Sequence, residues 1–291
     1  MARRPSTRTA RRAMRFPLRG GVAVITGAAS GIGAALAQAM AACGCNLALA
    51  DVNAPGLEDV AERARSRGVH VSEHQLDVAD ADAVAALPDA VLAEHGRVSV
   101  LVNNAGVALG GRFEKVSAED FEWLFSINFW GVVRMTRAFL PLLRREDAAQ
   151  IVNLSSVFGI VAPPGQVAYA ASKFAVRGFS EALRHELQDS PIGVTIVHPG
   201  GVRTAIDTSA RRSGMTDAEI AVAAKVSEKL LRLPPEAAAE RIIRGIERRE
   251  KRVLVGRDAR QIAVLQRVFP VGYWPILARR IERAMQGAAH G

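Results

Sequence analysis

The feature that most constrains the fold of this chain is a repeated alternation between short apolar runs and longer segments with helical periodicity. The apolar runs lie at residues 22–26, 47–50, 98–102, 151–154, 194–197 and 253–255, and a more polar run at 69–76 reads as an edge strand. Helical patterns occupy residues 32–40, 56–67, 82–94, 121–143 and 168–187. Continuous apolar strands separated by helices are typical of a parallel sheet covered on both faces. The sequence therefore predicts a doubly wound α/β fold with about seven strands.

A glycine-rich segment, TGAASGIG, follows the first apolar run and precedes the first helical pattern. Glycine permits a tight turn and lets backbone N–H groups approach a pyrophosphate, and a helix N-terminus adds about half a positive charge there. Gly27, Gly31 and Gly33 thus indicate a dinucleotide site in a Rossmann-type sheet, although their spacing differs from the commonest GxGxxG fingerprint.

Asp51 ends the second apolar run, 20 residues after Gly31. An acid at this position can bind the hydroxyl groups of the adenosine ribose. A 2′-phosphate about 4 Å from its carboxylate would be repelled by roughly 4 kcal/mol at an effective dielectric of about 20. No arginine follows Asp51 or enters the glycine segment. The sequence therefore predicts NAD, rather than NADP, as the cofactor.

Tyr169 and Lys173 are four residues apart in a helical pattern and so share one face of the helix. A phenol with a pKa of about 10 is a poor base at neutral pH, and lowering that pKa by about three units requires roughly 4 kcal/mol. An ammonium nearby supplies about that much. Tyr169 is therefore the predicted acid/base that exchanges a hydroxyl proton while hydride moves to or from a nicotinamide.

Five segments occur in a fixed order: TGAASGIG, NNAG at 103–106, NLSS at 153–156, YAASK at 169–173 and PGGVRT at 199–204. In this order and spacing they resemble the signatures of the classical short-chain dehydrogenase/reductase family, over residues 20–256. The resemblance implies that Asn128, Ser156, Tyr169 and Lys173 are the catalytic residues. It makes Ser156, rather than Ser155, the group that hydrogen-bonds the substrate oxygen.

Asn128 lies on the apolar face of its predicted helix, where a buried amide must find hydrogen-bond partners. That face is marked by Phe121, Leu124, Phe125 and Val132. One interpretation is a structural amide that ties the helix to a strand. The resemblance implies instead an anchor for a proton-relay water behind Lys173. Both roles remain open and can hold together.

The resemblance also implies the cofactor contacts. In chain order these are Gly27, Ser30, Gly31, Ile32, Gly33, Asp51, Asp77, Val78, Asn104, Ala105, Gly106, Tyr169, Lys173, Pro199, Gly200, Val202 and Thr204. Asp77 and Val78 are expected beside the adenine, and Thr204 at the nicotinamide carboxamide. His198 is expected to be a core histidine without a catalytic role. Neither an HExxH segment nor paired CxxC segments occur, so no metal site is predicted.

Residues 157–167 follow Ser156 and contain no charged side chain. As a wall of the substrate pocket they favour an apolar ligand. The predicted activity is hydride transfer between NAD and a hydrophobic secondary alcohol or its ketone, such as a steroid, a terpenoid or a lipid. Two alternatives remain open. One is an NADP-type carbonyl reductase for 3-oxoacyl thioesters or small diketones, and the other is a non-catalytic NAD-binding sensor.

The two ends of the chain are basic and extend beyond the predicted domain at residues 19–256. Seven of the first 20 residues are arginines, within a net charge of +9. Residues 1–18 are predicted to be a disordered arm that buries little. No aromatic residues alternate with these arginines as in a nucleic-acid-binding surface, so no nucleic-acid partner is predicted.

Residues 257–291 form an amphipathic, apolar and basic C-terminal extension with no run of the roughly 18 apolar residues that a membrane-spanning helix needs. Two interpretations compete. The extension packs across its own subunit or a neighbour, or its aromatic cluster enters a bilayer interface while its arginines meet anionic lipid. Cys43 and Cys45 are read as buried thiols of a reducing cytosol. We expect a cytoplasmic homo-oligomer, a dimer or a tetramer, with peripheral membrane contact under the second interpretation.

Overall fold

The computed structural model describes residues 15–286, apart from the side chains of Arg280, Ile281 and residues 283–286. The strands in that range are β1 Val22–Thr26, β2 Asn46–Asp51, β3 Val71–Gln75, β4 Val100–Asn103, β5 Leu109–Gly110, β6 Ala149–Leu154, β7 Ile192–Pro199, β8 Arg211–Arg212 and β9 Arg252–Val255. Seven of them form one parallel sheet in the order β3-β2-β1-β4-β6-β7-β9, and β5 pairs with β8 beside it. The predicted Rossmann-type sheet, with polar β3 at its edge, is confirmed.

Helices cover both faces of this sheet, as the continuous apolar strands predicted. They are α1 Gly31–Ala42, α2 Ala54–Arg65, α3 Ala81–His95, α4 Ala118–Phe125, α5 Val132–Leu143, α6 Val167–Glu186, α7 Asp217–Leu230, α8 Pro235–Glu247, α9 Arg257–Val268 and α10 Tyr273–Gln286. Leu36, Val60 and Ile242 of α1, α2 and α8 belong to the core on one face. Phe139 and Leu183 of α5 and α6 belong to the core on the other. The predicted site residues lie at or beyond the carboxyl ends of the strands between these layers.

The helix predicted over residues 121–143 is not continuous. A π-helical turn, Ser126–Gly131, separates α4 from α5, and Asn128 lies within it. A π-turn accommodates one extra residue in a helix and is frequent at functional sites. Here it places the amide of Asn128, which is fully buried, against the backbone of Val107.

Residues 15–18, which the sequence assigned to the N-terminal arm, are ordered in the structure. Phe16 and Leu18 are buried in the core beside α1 and α8, and the Phe16 N–H donates to the carbonyl of Glu247 at 2.7 Å. The guanidinium of Arg249 lies 5.6 Å from the Phe16 ring. Assigning residues 15–18 to a disordered arm was therefore wrong, because two apolar side chains in this stretch find a place in the core. Residues 1–14 lie outside the described residues.

Strand β9 ends at Val255 and helix α9 starts at Arg257, and the assignment of residues 257–291 to a C-terminal extension stays a prediction. Ala259 and Leu265 of α9 are buried against the domain. Within residues 15–286, no helix is long and apolar enough to cross a membrane.

Candidate active site

The glycine segment forms a tight turn between β1 and α1. Gly27 and Gly31 have positive φ angles of 64° and 54°, a conformation that favours glycine. A side chain at residue 33 would collide with the carbonyl oxygen of Gly27. Ser30 is the N-cap of α1 but makes no side-chain cap bond. The turn lies at a helix N-terminus, a geometry that suits a phosphate group, and its role in binding a dinucleotide stays a prediction.

The glycine turn is held in place by the NNAG segment at residues 103–106. The Asn104 amide donates to the carbonyl oxygens of Thr26 and Gly27, both at 2.9 Å. In return, the Thr26 hydroxyl accepts the backbone N–H groups of Asn104 and Ala105, both at 3.1 Å. These bonds fix the end of β1 against the end of β4. Asn104 thus has a structural task in shaping the cofactor cleft.

Acidic side chains follow β2 and β3, which are neighbours in the sheet. The two carboxylate oxygens of Asp51 accept the N–H groups of Ala29 and Asn53, at 2.9 and 3.0 Å. The carboxylate of Asp77 accepts the N–H of Ala79 at 2.8 Å. The negative charge of Asp51 is therefore held in one orientation next to the glycine turn.

The segment after β7 closes the other side of the cleft. A Cβ atom at Gly31 would lie 3.0 Å from Cγ2 of Thr204, so this segment lies over the glycine turn. Val202 is buried and pairs with Leu233 in an isolated parallel bridge. The turn at Gly200 and Gly201 is tied to α9, since the carboxylate of Asp258 accepts the Gly201 N–H at 2.6 Å.

Ser156, Tyr169 and Lys173 meet in one place between β6 and α6. The Ser156 hydroxyl hydrogen-bonds Tyr169 and also accepts the N–H of Phe158 at 3.1 Å. The ammonium Nζ of Lys173 lies 5.7 Å from the centre of the Tyr169 ring and donates to the Leu154 carbonyl at 3.2 Å. Ser155 instead donates to the Lys173 carbonyl at 2.9 Å. This bond ties Ser155, just after the end of β6, to the backbone of α6.

Burial dominates the ionisation of the Tyr169–Lys173 pair. Burial raises the pKa of Tyr169, and the hydrogen bond with Ser156 opposes that rise. Burial also lowers the pKa of Lys173 to about 8. The predicted lowering of the Tyr169 pKa by Lys173 does not occur in this structure, where burial raises that pKa and Ser156 is the group that opposes the rise. Ser156 is the neighbour that stabilises the phenolate here.

Asn128 connects the π-helical turn to the segment after β4. Its side-chain oxygen accepts the Val107 N–H at 2.8 Å, and its amide donates to the Val107 carbonyl at 2.9 Å and to the Ser172 hydroxyl at 3.2 Å. These bonds satisfy the buried amide and support its structural role. The role of Asn128 as the anchor of a proton-relay water stays a prediction, because these hydrogen bonds do not test it.

The segment predicted to form a substrate wall offers less apolar surface than the sequence suggested. Within residues 157–167, Val157, Ile160 and Val161 are buried and expose little surface. Phe158 is partly exposed, and its ring meets Tyr169 edge to face at 6.0 Å. The predicted apolar wall therefore reduces to Phe158 and to the exposed residues that follow Val161.

Three contacts near the site had no signal in the sequence. The Ala162 N–H donates to the hydroxyl of Tyr273 at 3.0 Å, so α10 lies against the segment that follows Ser156. Asp258 holds Gly201. The ring of His198 is fully buried, with Nδ1 2.8 Å from the carbonyl oxygen of Ser156. The first contact supports the interpretation in which the extension packs on its own subunit.

Comparison with known proteins shows similarity along nearly the whole described chain. The family model for short chain dehydrogenases matches residues 21–214. The chain is 43% identical over 268 residues to the "Putative oxidoreductase SadH" of Mycobacterium tuberculosis, covering 91% of this chain and 96% of that protein. A short chain dehydrogenase/reductase from Burkholderia phymatum, solved in complex with NAD, is 33% identical with a TM-score of 0.81, covering 87% of this chain and 94% of that one. An alcohol dehydrogenase from Thermococcus sibiricus, complexed with 5-hydroxy-NADP, is 30% identical with a TM-score of 0.71, covering 81% and 95%.

Proposed function

The chain belongs to the classical short-chain dehydrogenase/reductase family, and we propose that within it the protein oxidises a hydrophobic secondary alcohol with NAD. The observation that carries this proposal is the meeting of Ser156, Tyr169 and Lys173 beside the partly exposed ring of Phe158. A proton-exchanging group thus lies next to an apolar surface. A steroid, terpenoid or lipid alcohol fits that combination.

The chain's own residues carry the proton chemistry of the proposed reaction. A bound nicotinamide cofactor supplies or accepts the hydride. The Ser156 hydroxyl is placed to hydrogen-bond the alcohol oxygen, because it already bonds Tyr169. Tyr169 takes the hydroxyl proton in the oxidation and returns it in the reduction. Lys173 holds a positive charge behind the phenolate whenever it is protonated.

The glycine turn and the residues around it fit a dinucleotide. The backbone at Gly27 and Gly31 adopts the conformation that a pyrophosphate cradle needs, and Thr204 covers the same turn. Backbone N–H groups of Ala29 and Asn53 hold the Asp51 carboxylate beside the glycine turn, which supports the proposed contact with the adenosine ribose. Because relatives bind either NAD or NADP, the charge of Asp51 is the argument for NAD in this chain.

Replacing Asp51 by Ala together with Val52 by Arg is expected to narrow or invert the preference for NAD. The double change removes the charge that repels a 2′-phosphate and adds one that attracts it, and roughly 4 kcal/mol of repulsion is at stake before solvent screening reduces it. Val52 is exposed, so an arginine is tolerated there. The measurement is kcat/KM with NAD and with NADP.

Two single variants serve as controls. Val52→Arg alone separates the effect of the added positive charge from the effect of the lost Asp51 carboxylate. Asp59→Ala removes an exposed carboxylate from the adjoining helix α2. Asp59→Ala should leave the cofactor ratio unchanged. A wild-type protein that already prefers NADP would contradict the electrostatic argument and favour the carbonyl-reductase alternative.

The proposed substrate class is tested by a screen of hydrophobic secondary alcohols with NAD, read as NADH absorbance. Steroid and terpenoid alcohols should turn over faster than short polar alcohols. Efficient reduction of 3-oxoacyl thioesters or small diketones with NADPH would identify the alternative activity. Turnover of none of these, in a protein that binds NADH, would favour the sensor.

Assembly and location are part of the same proposal. Trp130 and Phe174 are large side chains that are about half exposed on the π-helical turn and on α6. Burial of such aromatics favours association, so we assign the predicted homo-oligomer to this face. The proposed location is the cytoplasm.

A further inference from the structure

Apolar side chains are exposed where α9 meets α10 in the C-terminal extension. The exposed fraction is 63% for Val264, 61% for Val268, 48% for Phe269 and 92% for Val271. Val264 and Val268 are four residues apart on α9 and share one face, while Phe269 and Val271 lie in the turn that follows. We call these four residues the tail patch. A cluster of this kind indicates an interaction site rather than ordinary surface.

Positive charge lies beside the tail patch. Arg260 and Arg267 are exposed and lie four and three residues from Val264, on the same outward face of α9. Arg279 is exposed on α10. Asp258, an acidic residue of α9, accepts a hydrogen bond from the Gly201 N–H. The patch is thus apolar with a basic rim.

The patch is held on the body of the protein. Ala259 and Leu265 bury the opposite face of α9, and Tyr273, at the start of α10, bonds the backbone of Ala162. The apolar residues therefore cannot fold back into the core without breaking these contacts. The same contacts place the patch close to the segment that follows Ser156.

We propose that the tail patch docks on the surface of an anionic bilayer. Apolar side chains that enter the acyl boundary and arginines that meet lipid headgroups are the two requirements of an interfacial helix. A symmetric contact between two copies would instead use the same patch on both subunits, so the two basic rims would come together, and like charges repel. The proposed contact is peripheral, since it involves only the side chains of the tail patch and its basic rim.

Vesicle sedimentation of the full-length protein tests this docking without any substrate. The vesicles are phosphatidylcholine alone, or equal parts of phosphatidylcholine and phosphatidylglycerol, at low and at moderate salt. Wild type should sediment with the anionic vesicles and less so as salt rises. The double variant Phe269→Ser/Val271→Ser should partition at least about tenfold more weakly.

The matched control is Phe113→Ser/Val222→Ser, which makes the same substitutions at two exposed residues outside the extension. It should sediment like wild type. Equal losses in both double variants, or no sedimentation of wild type with anionic vesicles, would overturn the proposal. So would light scattering that shows a wild-type oligomer dissociated by the tail variant alone, since the patch would then serve a second copy. None of these readouts depends on the proposed reaction.

A second inference rests on a different observation, the buried ring of His198. Strand β7 pairs with β6 up to the bond from the Ser155 N–H to the Val197 carbonyl. Pro199 has no N–H with which to continue that ladder. The ring of His198 instead approaches the carbonyl of Ser156, and since a carbonyl can only accept, Nδ1 is the donor.

Burial lowers the pKa of His198 to about 4, so the ring is neutral at physiological pH. With the proton on Nδ1, Nε2 keeps a lone pair, and this buried atom has no hydrogen-bond partner among the described residues. An unpaired buried nitrogen is unfavourable. The bond to Ser156 is therefore the polar interaction that the ring does make.

We infer that His198 is a positioning residue that fixes the backbone of Ser156 and so the hydroxyl that bonds Tyr169. Leu is close to His in volume but has no hydrogen-bond donor, whereas Asn is smaller but keeps a donor near the position of Nδ1. His198→Asn should thus preserve the positioning that His198→Leu removes. The comparison between the two variants isolates the hydrogen bond from the change in volume.

The chain contains only two tyrosines, Tyr169 and Tyr273, which gives a readout that needs no substrate. In a Tyr273→Phe background, ultraviolet titration of tyrosinate reports Tyr169 alone. His198→Leu should titrate at higher pH than His198→Asn, because a displaced Ser156 stabilises the phenolate less. Coincident titrations in the two variants would overturn the inference.

A kinetic readout rests on the proposed function. With an alcohol found in the screen, His198→Leu should lose about tenfold or more in kcat without a change in the KM for NAD, and His198→Asn should recover most of it. Failure of the proposed function would leave every variant inactive while the titrations still differ. Equal kcat in the two variants would contradict the positioning role.

Discussion

Tyr169→Phe is expected to lower kcat by about a hundredfold or more while NADH binding stays near that of wild type. Loss of a general acid/base normally costs a factor of about 10²–10⁴. The substitution removes one hydroxyl and keeps the ring that meets Phe158 edge to face. The substitution removes the proton carrier and its hydrogen bond with Ser156, but the retained ring keeps the shape of the cleft. The measurements are single-substrate kinetics with NAD and fluorescence titration with NADH.

The control for this prediction is the other tyrosine. Tyr273→Phe makes the same chemical change and removes the hydrogen bond that the Tyr273 hydroxyl accepts from the Ala162 N–H. We expect it to retain most of the activity, because Tyr273 bonds the backbone of Ala162 and not Ser156, Tyr169 or Lys173. Retention of more than about a tenth of wild-type kcat by Tyr169→Phe would contradict the acid/base assignment.

The parts of this fold that the sequence predicted are those with a local signal. Each strand of the large sheet is an apolar run bounded by helical periodicity, and β3 was read as an edge strand from its polar side chains. The glycine turn and the Tyr169–Lys173 pair are also local, because each lies within a few residues. Their meeting at the carboxyl ends of parallel strands follows from the topology of the fold.

What sequence reasoning missed depends on contacts between distant parts of the chain. His198 bonds Ser156 across 42 positions, Asp258 bonds Gly201 across 57, and Tyr273 bonds Ala162 across 111. No periodicity or motif links such pairs. Phe16 was assigned to the arm because its neighbours in the sequence are basic and polar. In the structure its side chain packs in the core with residues of α1 and α8.

The ionisation of Tyr169 was misjudged for a related reason. The spacing of Tyr169 and Lys173 predicted attraction between the two groups, and the two side chains do lie close together. The sequence gives no measure of how far both are removed from water. Desolvation opposes the charged form of each group, so the pKa of Tyr169 is raised and that of Lys173 is lowered to about 8.

The burial of Lys173 leads to the second large effect that we expect. Lys173→Met should unfold at higher urea concentration than wild type at pH 7, although it should lose about a hundredfold or more in activity. The pKa of Lys173 falls from 10.5 to about 8 in the folded protein, and such a shift corresponds to about 3 kcal/mol of unfavourable burial of the charge. The lost bond to the Leu154 carbonyl offsets about 1 kcal/mol of the gain.

The pH dependence identifies the cause of that gain. Below pH 8, Lys173 is charged in both the folded and the unfolded state, and the folded state bears the full cost. Between about pH 8 and 10.5 the unfolded chain holds a proton that the folded protein has released, so wild-type stability rises with pH through this window. The advantage of Lys173→Met should therefore shrink from pH 8 upward.

Urea denaturation of both proteins at pH 7 and near pH 10 measures this difference, with Lys225→Met as the control. Lys225 is exposed on α7, so its replacement removes the same charge without relieving burial and should shift stability little at either pH. A Lys173→Met protein less stable than wild type at pH 7, or a gain that does not change with pH, would contradict the argument. A buried ammonium lowers the stability of the folded protein. Its presence is expected in a site that is selected for activity rather than for stability. The gain in stability and the loss of turnover should therefore appear together in one variant.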